Sequence, residues 1–226
     1  MNQNSYAGRE YLQHLNRKHL SVDVITIGNY PEIDILEEAR CGSLWKPPTE
    51  QEVMKDLQHK HFKSLKSKEL IEYLTLSKYD IGIQGGTGII RNNIIECFKY
   101  GILNFHPGDL PEYRGCSAPE YQIVDGKPIV TTCHYVVKSI DAGPILAKKV
   151  LNVKMDSYES FRASIYPEIG LFLAETISKI ETSVGFFNKA QVQDESKSKY
   201  RKYIGDENIE LLKQKFIKGQ FSGSNN

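Results

Sequence analysis

GILNFHPGDLPEYRG, residues 101–115, carries the reading of the fold. An apolar run enters Asn104, passes one Phe and reaches His106. Pro107 and Gly108 then stop the strand, and Pro111 and Gly115 follow close behind. Period-two alternation along a strand puts Asn104 and His106 on one face and Phe105 on the other. In open α/β sheets, ligands bind beyond the carboxyl ends of the strands. The stretch therefore reads as a buried strand that delivers an amide and an imidazole to a crevice. The amide can donate to a developing oxyanion, and the imidazole can donate or accept a proton near neutral pH. Taken alone, a histidine at a strand end is more often a satisfied surface or core residue.

The flanking sequence supplies the rest of a sheet. SVDVITIGN (21–29) is rich in β-branched residues and ends at Gly-Asn, and YDIGIQG (79–85) reads as a strand running into GGTG. Helical segments are expected over 5–19, within 31–45 and over 91–100. Thr49, with Glu52 three residues on, has the form of a capping box over EQEVMKDL. HKHFKSLKSKELIEYLTLS (59–77) is mixed, with a helix at its end. Beyond the quoted stretch come a short helix over Ala118 to Val124, strands over 128–139 and 143–153, and a long helix capped by Ser157. Alternating strands and helices predict an α/β fold with a doubly wound, mostly parallel, Rossmann-like sheet. The two later strands, joined by a short turn, add an antiparallel extension. Residues 1–184 are expected to form the main domain and 185–226 a small polar C-terminal extension whose FSGSNN end is frayed.

Composition narrows the function classes. The 226 residues are 40% hydrophobic, which suits one domain that buries a core without cross-links. A formal net charge of +1 argues against a nucleic-acid partner. No apolar run approaches the roughly 18 residues of a membrane span. The polar start MNQNSYAGRE lacks the apolar core of a signal peptide, so a cytoplasmic location is expected. Cysteines at 41, 97, 116 and 133 are widely spaced and form no CxxC, which predicts reduced thiols and no metal site.

Asp141 lies 35 residues beyond His106, in VVKSIDAGPI, where Ala-Gly-Pro sets a tight turn. A carboxylate there can order a water or hold the imidazole. An Asp-x-Gly turn former is the blander alternative. GIQGGTGII (82–90) ends a strand in glycines but is neither GxGxxG nor a P-loop with its Lys.

Together, GILNFHPGDLPEYRG and TTCHYVVKSIDAGPI closely resemble the formyltetrahydrofolate-dependent formyltransferases. In that family an Asn-x-His pair is followed by Pro and, about 35 residues later, by Asp-x-Gly. The match spans residues 81–153, with LPEYRG and TCHY in register. The resemblance implies transfer of a formyl group from N10-formyltetrahydrofolate to an amine, by direct attack and without metal. Asn104 and His106 would hold the oxyanion, His106 would move protons between the amine and the departing N10, and Asp141 would organise the water and the imidazole. Gly88, Ile89 and Ile90 would line the pterin pocket, largely through the backbone, and the Val137 to Asp141 loop would close its other side.

The family formylates initiator methionyl-tRNA, glycinamide ribonucleotide or amino sugars on nucleotide carriers. The tRNA enzymes usually add an OB-like C-terminal domain, whereas some 40 residues follow the last predicted helix here. The glycinamide ribonucleotide enzymes open with a strand and a Gly-Ser-Asn loop, for which NSYAG at 4–8 is a poor substitute. The resemblance therefore points to a dTDP- or UDP-linked amino sugar, and to a formamido sugar of a surface polysaccharide such as an O-antigen. Arg114 is expected to meet the diphosphate and Tyr113 to pack on the sugar or base, unless both are structural. Tyr200, Arg201 and Tyr203 are read as contacts to a nucleotide or to the second subunit of a homodimer, or as solvated surface. Because relatives begin with a strand before the first helix and this chain starts almost at SYAGREYLQHL, either that strand is missing or the true start lies upstream of the given one. Phosphoribosylglycinamide formyltransferase and a non-catalytic folate-binding module are the alternatives. The intact Asn104, His106 and Asp141 count against the second.

Overall fold

The computed structural model describes residues 1–29 and 31–221. Strands and helices alternate in its first half: β1 (Asn2–Gln3), α1 (Tyr6–Arg17), β2 (Val24–Asn29), α2 (Pro31–Cys41), α3 (Glu50–Met54), β3 (His59–Phe62), α4 (Lys68–Ser77), β4 (Gly82–Ile83) and α5 (Asn92–Ile95). Then come β5 (Ile102–His106), β6 (Arg114–Gly115), α6 (Ala118–Val124), β7 (Val130–Tyr135), β8 (Ile145–Val150), α7 (Tyr158–Thr182), β9 (Tyr200–Arg201) and α8 (Asp206–Ile217). Local chemistry sets the helix starts. Ser5 and Ser157 accept from backbone N–H groups at Gly8 and Ser160, and Thr49 with Glu52 closes the expected capping box.

The architecture is mixed α/β. One sheet has the order β4-β5-β7-β8, with β4 parallel to β5 and β7 and β8 antiparallel. A second has the order β1-β2-β3 and is all parallel. Phe105 turns away from the site into the core, edge-on to Tyr11 of α1 and Phe172 of α7 with centroids 6.4 and 5.6 Å away. Burying a side chain of that size contributes about 1.5–3 kcal/mol, so Phe105 anchors the strand whose opposite face carries Asn104 and His106.

The two sheets do not join. The Gly82 and Gln84 N–H groups bond the Gly101 and Leu103 carbonyls of the β5 side. By strand alternation, Ile81 and Ile83 aim their main-chain groups the other way, toward β2. Between them lies a cavity of about 470 Å³ lined by Tyr11, Leu15, Val24, Ile81, Ile83 and Ile177.

Several expectations change. The first strand is present, as two residues parallel to β2 with Asn2 opposite Ile27. β3 falls where the sequence looked mixed: three of its four residues are polar and exposed, so no alternation marks it, and His61 Nδ1 lies 3.0 Å from the Thr26 hydroxyl. α5 covers only four of the ten residues expected to be helical. The tail is more than surface. β9 pairs with β6, and α8 buries Ile209, Leu212 and Phe216, the last against Tyr158 and Phe161 at 6.3 and 5.8 Å. Of FSGSNN, all but Phe221 lies outside the described residues. Among the described residues no helix is long and apolar enough to cross a membrane.

Candidate active site

β5 presents Asn104 half-buried and His106 buried on one face. On the neighbouring strand, register places His134 directly opposite Asn104. Asp141 enters from the loop between β7 and β8 in a left-handed conformation, φ 51°. The Gly115 N–H donates to its Oδ2 at 2.8 Å. Four polar side chains thus meet. Asn104 Nδ2 lies 3.2 Å from His134 Nε2, Asp141 Oδ2 lies 3.5 Å from His106 Nδ1, and Asp141 Oδ1 lies 3.6 Å from His134 Nε2.

The carbonyls around the cluster decide where the protons sit. A carbonyl can only accept, so His106 Nε2 donates to Tyr113 O at 2.6 Å, and His134 Nδ1 donates to Tyr135 O at 2.9 Å. In the neutral rings the lone pairs are then on His106 Nδ1 and His134 Nε2. His134 Nε2 accepts from Asn104, which assigns the amide orientation and leaves Asn104 one further N–H to offer a ligand. Burial pulls the His106 pKa below its ordinary value, with Asp141 opposing. The ring is therefore neutral at pH 7. Burial also pushes Asp141 upward, but the attraction of the His106 and His134 rings when they carry a second proton, with the Gly115 N–H, outweighs it and holds the carboxyl at about 2. The centre combines an ionised carboxylate, a neutral imidazole with its basic nitrogen facing that carboxylate, and an oriented amide.

Braces hold the turn after His106. Thr131 and Thr132 hydroxyls donate to the His106 and Gly108 carbonyls at 2.9 and 2.7 Å. The Lys148 ammonium donates to Asp109 Oδ1 and the Leu110 carbonyl. A Cβ on Gly108 would stand 2.6 Å from His106 Nε2 and 2.8 Å from the Tyr113 carbonyl, so the turn closes on the imidazole only with glycine there.

The predicted residues divide. Asn104, His106 and Asp141 come together. His134, quoted as part of TCHY and given no role, completes the cluster. Gly88 sits in open space and Ile89 is exposed, whereas the Ile90 side chain packs into a core cluster with Leu70 and Ile94. Val137 is partly exposed on the loop leading to Asp141. Tyr113 and Arg114 take the structural alternative in their contacts. The Tyr113 ring is buried, with its hydroxyl donating to Asp125 at 3.0 Å. The Arg114 guanidinium is engaged by Gln193 and Glu195 at 2.7–3.1 Å. Both side chains are engaged by other residues of the protein. Arg201 likewise pairs with Asp125 at 3.0 Å. Among the described residues no group of three or more His, Cys, Asp or Glu is placed to hold a metal ion.

The family model described as formyl transferase matches residues 3–166. The chain belongs to that family. A methionyl-tRNA formyltransferase of Thermotoga maritima is 30% identical over 151 residues, covering 65% of this chain and 47% of the relative. The chain thus spans about half the length of that relative. Among solved structures, an N-formyltransferase of Helicobacter canadensis, in complex with folinic acid and dTDP-3-aminofucose, matches with TM-score 0.58 and 15% identity over 89% of this chain and 71% of that one. Glycinamide ribonucleotide transformylase 1 of Symbiobacterium toebii matches with TM-score 0.55 and 20% identity over 85% and 92%. At these identities the two structures speak for a shared fold.

Proposed function

We propose that the protein transfers a formyl group from N10-formyltetrahydrofolate to the amine of a nucleotide-linked amino sugar. The observation that carries formyl transfer is the Asn104–His134–Asp141–His106 cluster, with its protons assigned by the Tyr113 and Tyr135 carbonyls. The free Asn104 N–H donates to the formyl oxygen as the amine adds and the oxygen becomes an oxyanion. One such donor contributes about 2.7–4 kcal/mol to lowering the barrier. His106 Nδ1 accepts the proton of the attacking amine, and Asp141, already ionised, stabilises the imidazolium so formed. Only then does Nδ1–H become a donor, since Nε2–H is committed to Tyr113. His106 therefore helps the oxyanion after it has taken the proton. The same proton passes to N10 as the N10–carbon bond breaks, which restores the neutral ring. Main-chain groups of Gly88, Ile89 and Ile90, and the loop from Val137 to Asp141, border the pterin; Ile90 can contribute only its backbone because its side chain is in the core.

The sugar acceptor is supported by the Helicobacter canadensis structure, which carries dTDP-3-aminofucose on a related fold. The near-neutral chain, with formal charge +1, lacks the basic surplus that would favour tRNA. The test is an acceptor screen. Protein is incubated with N10-formyltetrahydrofolate and dTDP- and UDP-linked amino sugars, glycinamide ribonucleotide or methionyl-tRNA, and acceptor masses are followed. Gain of one formyl group on a nucleotide sugar is expected. Gain on glycinamide ribonucleotide or on the tRNA alone would keep the chemistry and replace the acceptor.

A further inference from the structure

Residues 190–201 cross the site from outside the matched family segment. Gln191 exchanges two backbone hydrogen bonds with Ile145 at 2.8 Å, and β9 pairs with β6, so this strap joins the loop after His106 to the loop carrying Asp141. Gln193 lies between these attachments, 5% exposed. Its Nε2 donates to the Asp141 carbonyl at 2.8 Å and the Gly143 carbonyl at 2.7 Å. Its Oε1 accepts from Arg114 Nε and Nη2 at 3.1 and 2.7 Å. Both amide protons and the carbonyl are used. The loop it grips needs gripping: Asp141 is left-handed, a conformation that strains a residue with a side chain, and Gly143 passes so near the Tyr135 carbonyl that a Cβ would overlap it.

We propose that Gln193 is a positioning residue of the formyl-transfer centre, its carboxamide holding the turn that sets the Asp141 carboxylate against His106. The inference rests on the function proposed above. Gln193 touches no reacting atom and acts through the Asp141 loop. Glu195 provides the contrast, because it holds the same Arg114 and makes no bond to that loop.

The test compares Gln193→Met, which keeps length and loses the hydrogen bonds, with Glu195→Gln. With N10-formyltetrahydrofolate and the acceptor found in the screen, Gln193→Met should lower kcat by about tenfold or more while the folate KM stays within about threefold, since an ångström of misplacement costs up to about a hundredfold. Glu195→Gln should leave kcat within about twofold, because its carboxylate is exposed to solvent and screened there. The second readout needs no acceptor. Titration of His106 by NMR should move to lower pH in Gln193→Met, because Asp141 is what holds it up against burial, and stay in place in Glu195→Gln. If the Met variant does not fold, Gln193→Glu keeps the acceptor to Arg114 while losing the donors, and its kcat should fall likewise. Parental kcat and an unmoved His106 titration in Gln193→Met would overturn the inference, as would parental kcat in Gln193→Glu where only that variant folds. A shifted titration in a protein that formylates no acceptor would leave the positioning role standing and remove the function.

Discussion

Asn104 and His134 face each other across the β5–β7 pair, and the Asn104 amide nitrogen lies 3.2 Å from Nε2 of His134. Because the Tyr135 carbonyl holds the proton of His134 on Nδ1, Nε2 can only accept in the neutral ring. The histidine thereby decides which way the asparagine points. One Asn104 N–H is left for a ligand, the orientation that the proposed oxyanion donor requires.

A double-mutant cycle tests that dependence. Asn104→Ala is expected to lower kcat by about 10²–10³, the loss typical of one oxyanion donor. His134→Ala should cost less, and the double variant no more than Asn104→Ala alone, because residues sharing one hydrogen bond are not additive. Full additivity in kcat would separate the two residues.

The pH profile follows from His106. Burial places its pKa below the ordinary 6.5, with Asp141 opposing. The base is therefore present at neutral pH, and the acid limb of kcat/KM is expected below pH 6.5. Asp141→Asn removes the opposing charge, so the limb should move to still lower pH while the plateau falls. A limb moving upward in that variant would contradict the assignment.

Gly108 tests the fit around the imidazole. Gly108→Ala brings a Cβ within 2.6 Å of His106 Nε2 and 2.7 Å of the Ala118 Cβ. Overpacking of this kind costs about 1–3 kcal/mol. Thermal unfolding should show that loss, and kcat per folded molecule should fall with it, because the His106–Tyr113 bond is what must give.

A buried ionic cluster away from the site should affect stability alone. Arg162 pairs with Glu37 at 2.5 Å and Glu120 at 3.4 Å, and the Tyr158 hydroxyl donates to Glu120 at 3.0 Å. Arg162→Met takes the ion-pair partner from the fully buried Glu120 and leaves Glu37 with Arg40 at 3.3 Å, and losing one partner of a buried pair costs about 3–5 kcal/mol. Urea unfolding should show the loss, with kcat of the folded protein unchanged.

What could be read from the residues follows the range of the forces involved. Asn104, His106 and the Phe105 anchor were legible because period-two alternation is local. Asp141 was singled out by its turn, and only the family resemblance tied it to the strand's Asn and His. His134 stood in the quoted TCHY without a role, because its meeting with Asn104 depends on the register of two strands 30 residues apart. Arg114 read as a free cation because its partners lie 79 and 81 residues away, in a tail whose polar residues hide Ile209, Leu212 and Phe216. β3 carries no alternation to detect, since its polar residues are stabilised by backbone pairing to β2.

The most direct measurement follows an isotopically labelled formyl group from N10-formyltetrahydrofolate in the parent protein and in His106→Ala, by mass spectrometry of the protein and of the acceptor amine. The account predicts label on the amine, none on the protein, and transfer lowered by about 10²–10⁴ in the variant, the contribution typical of a positioned general base. Label trapped covalently on the protein, or undiminished transfer by His106→Ala, would contradict direct transfer through this centre.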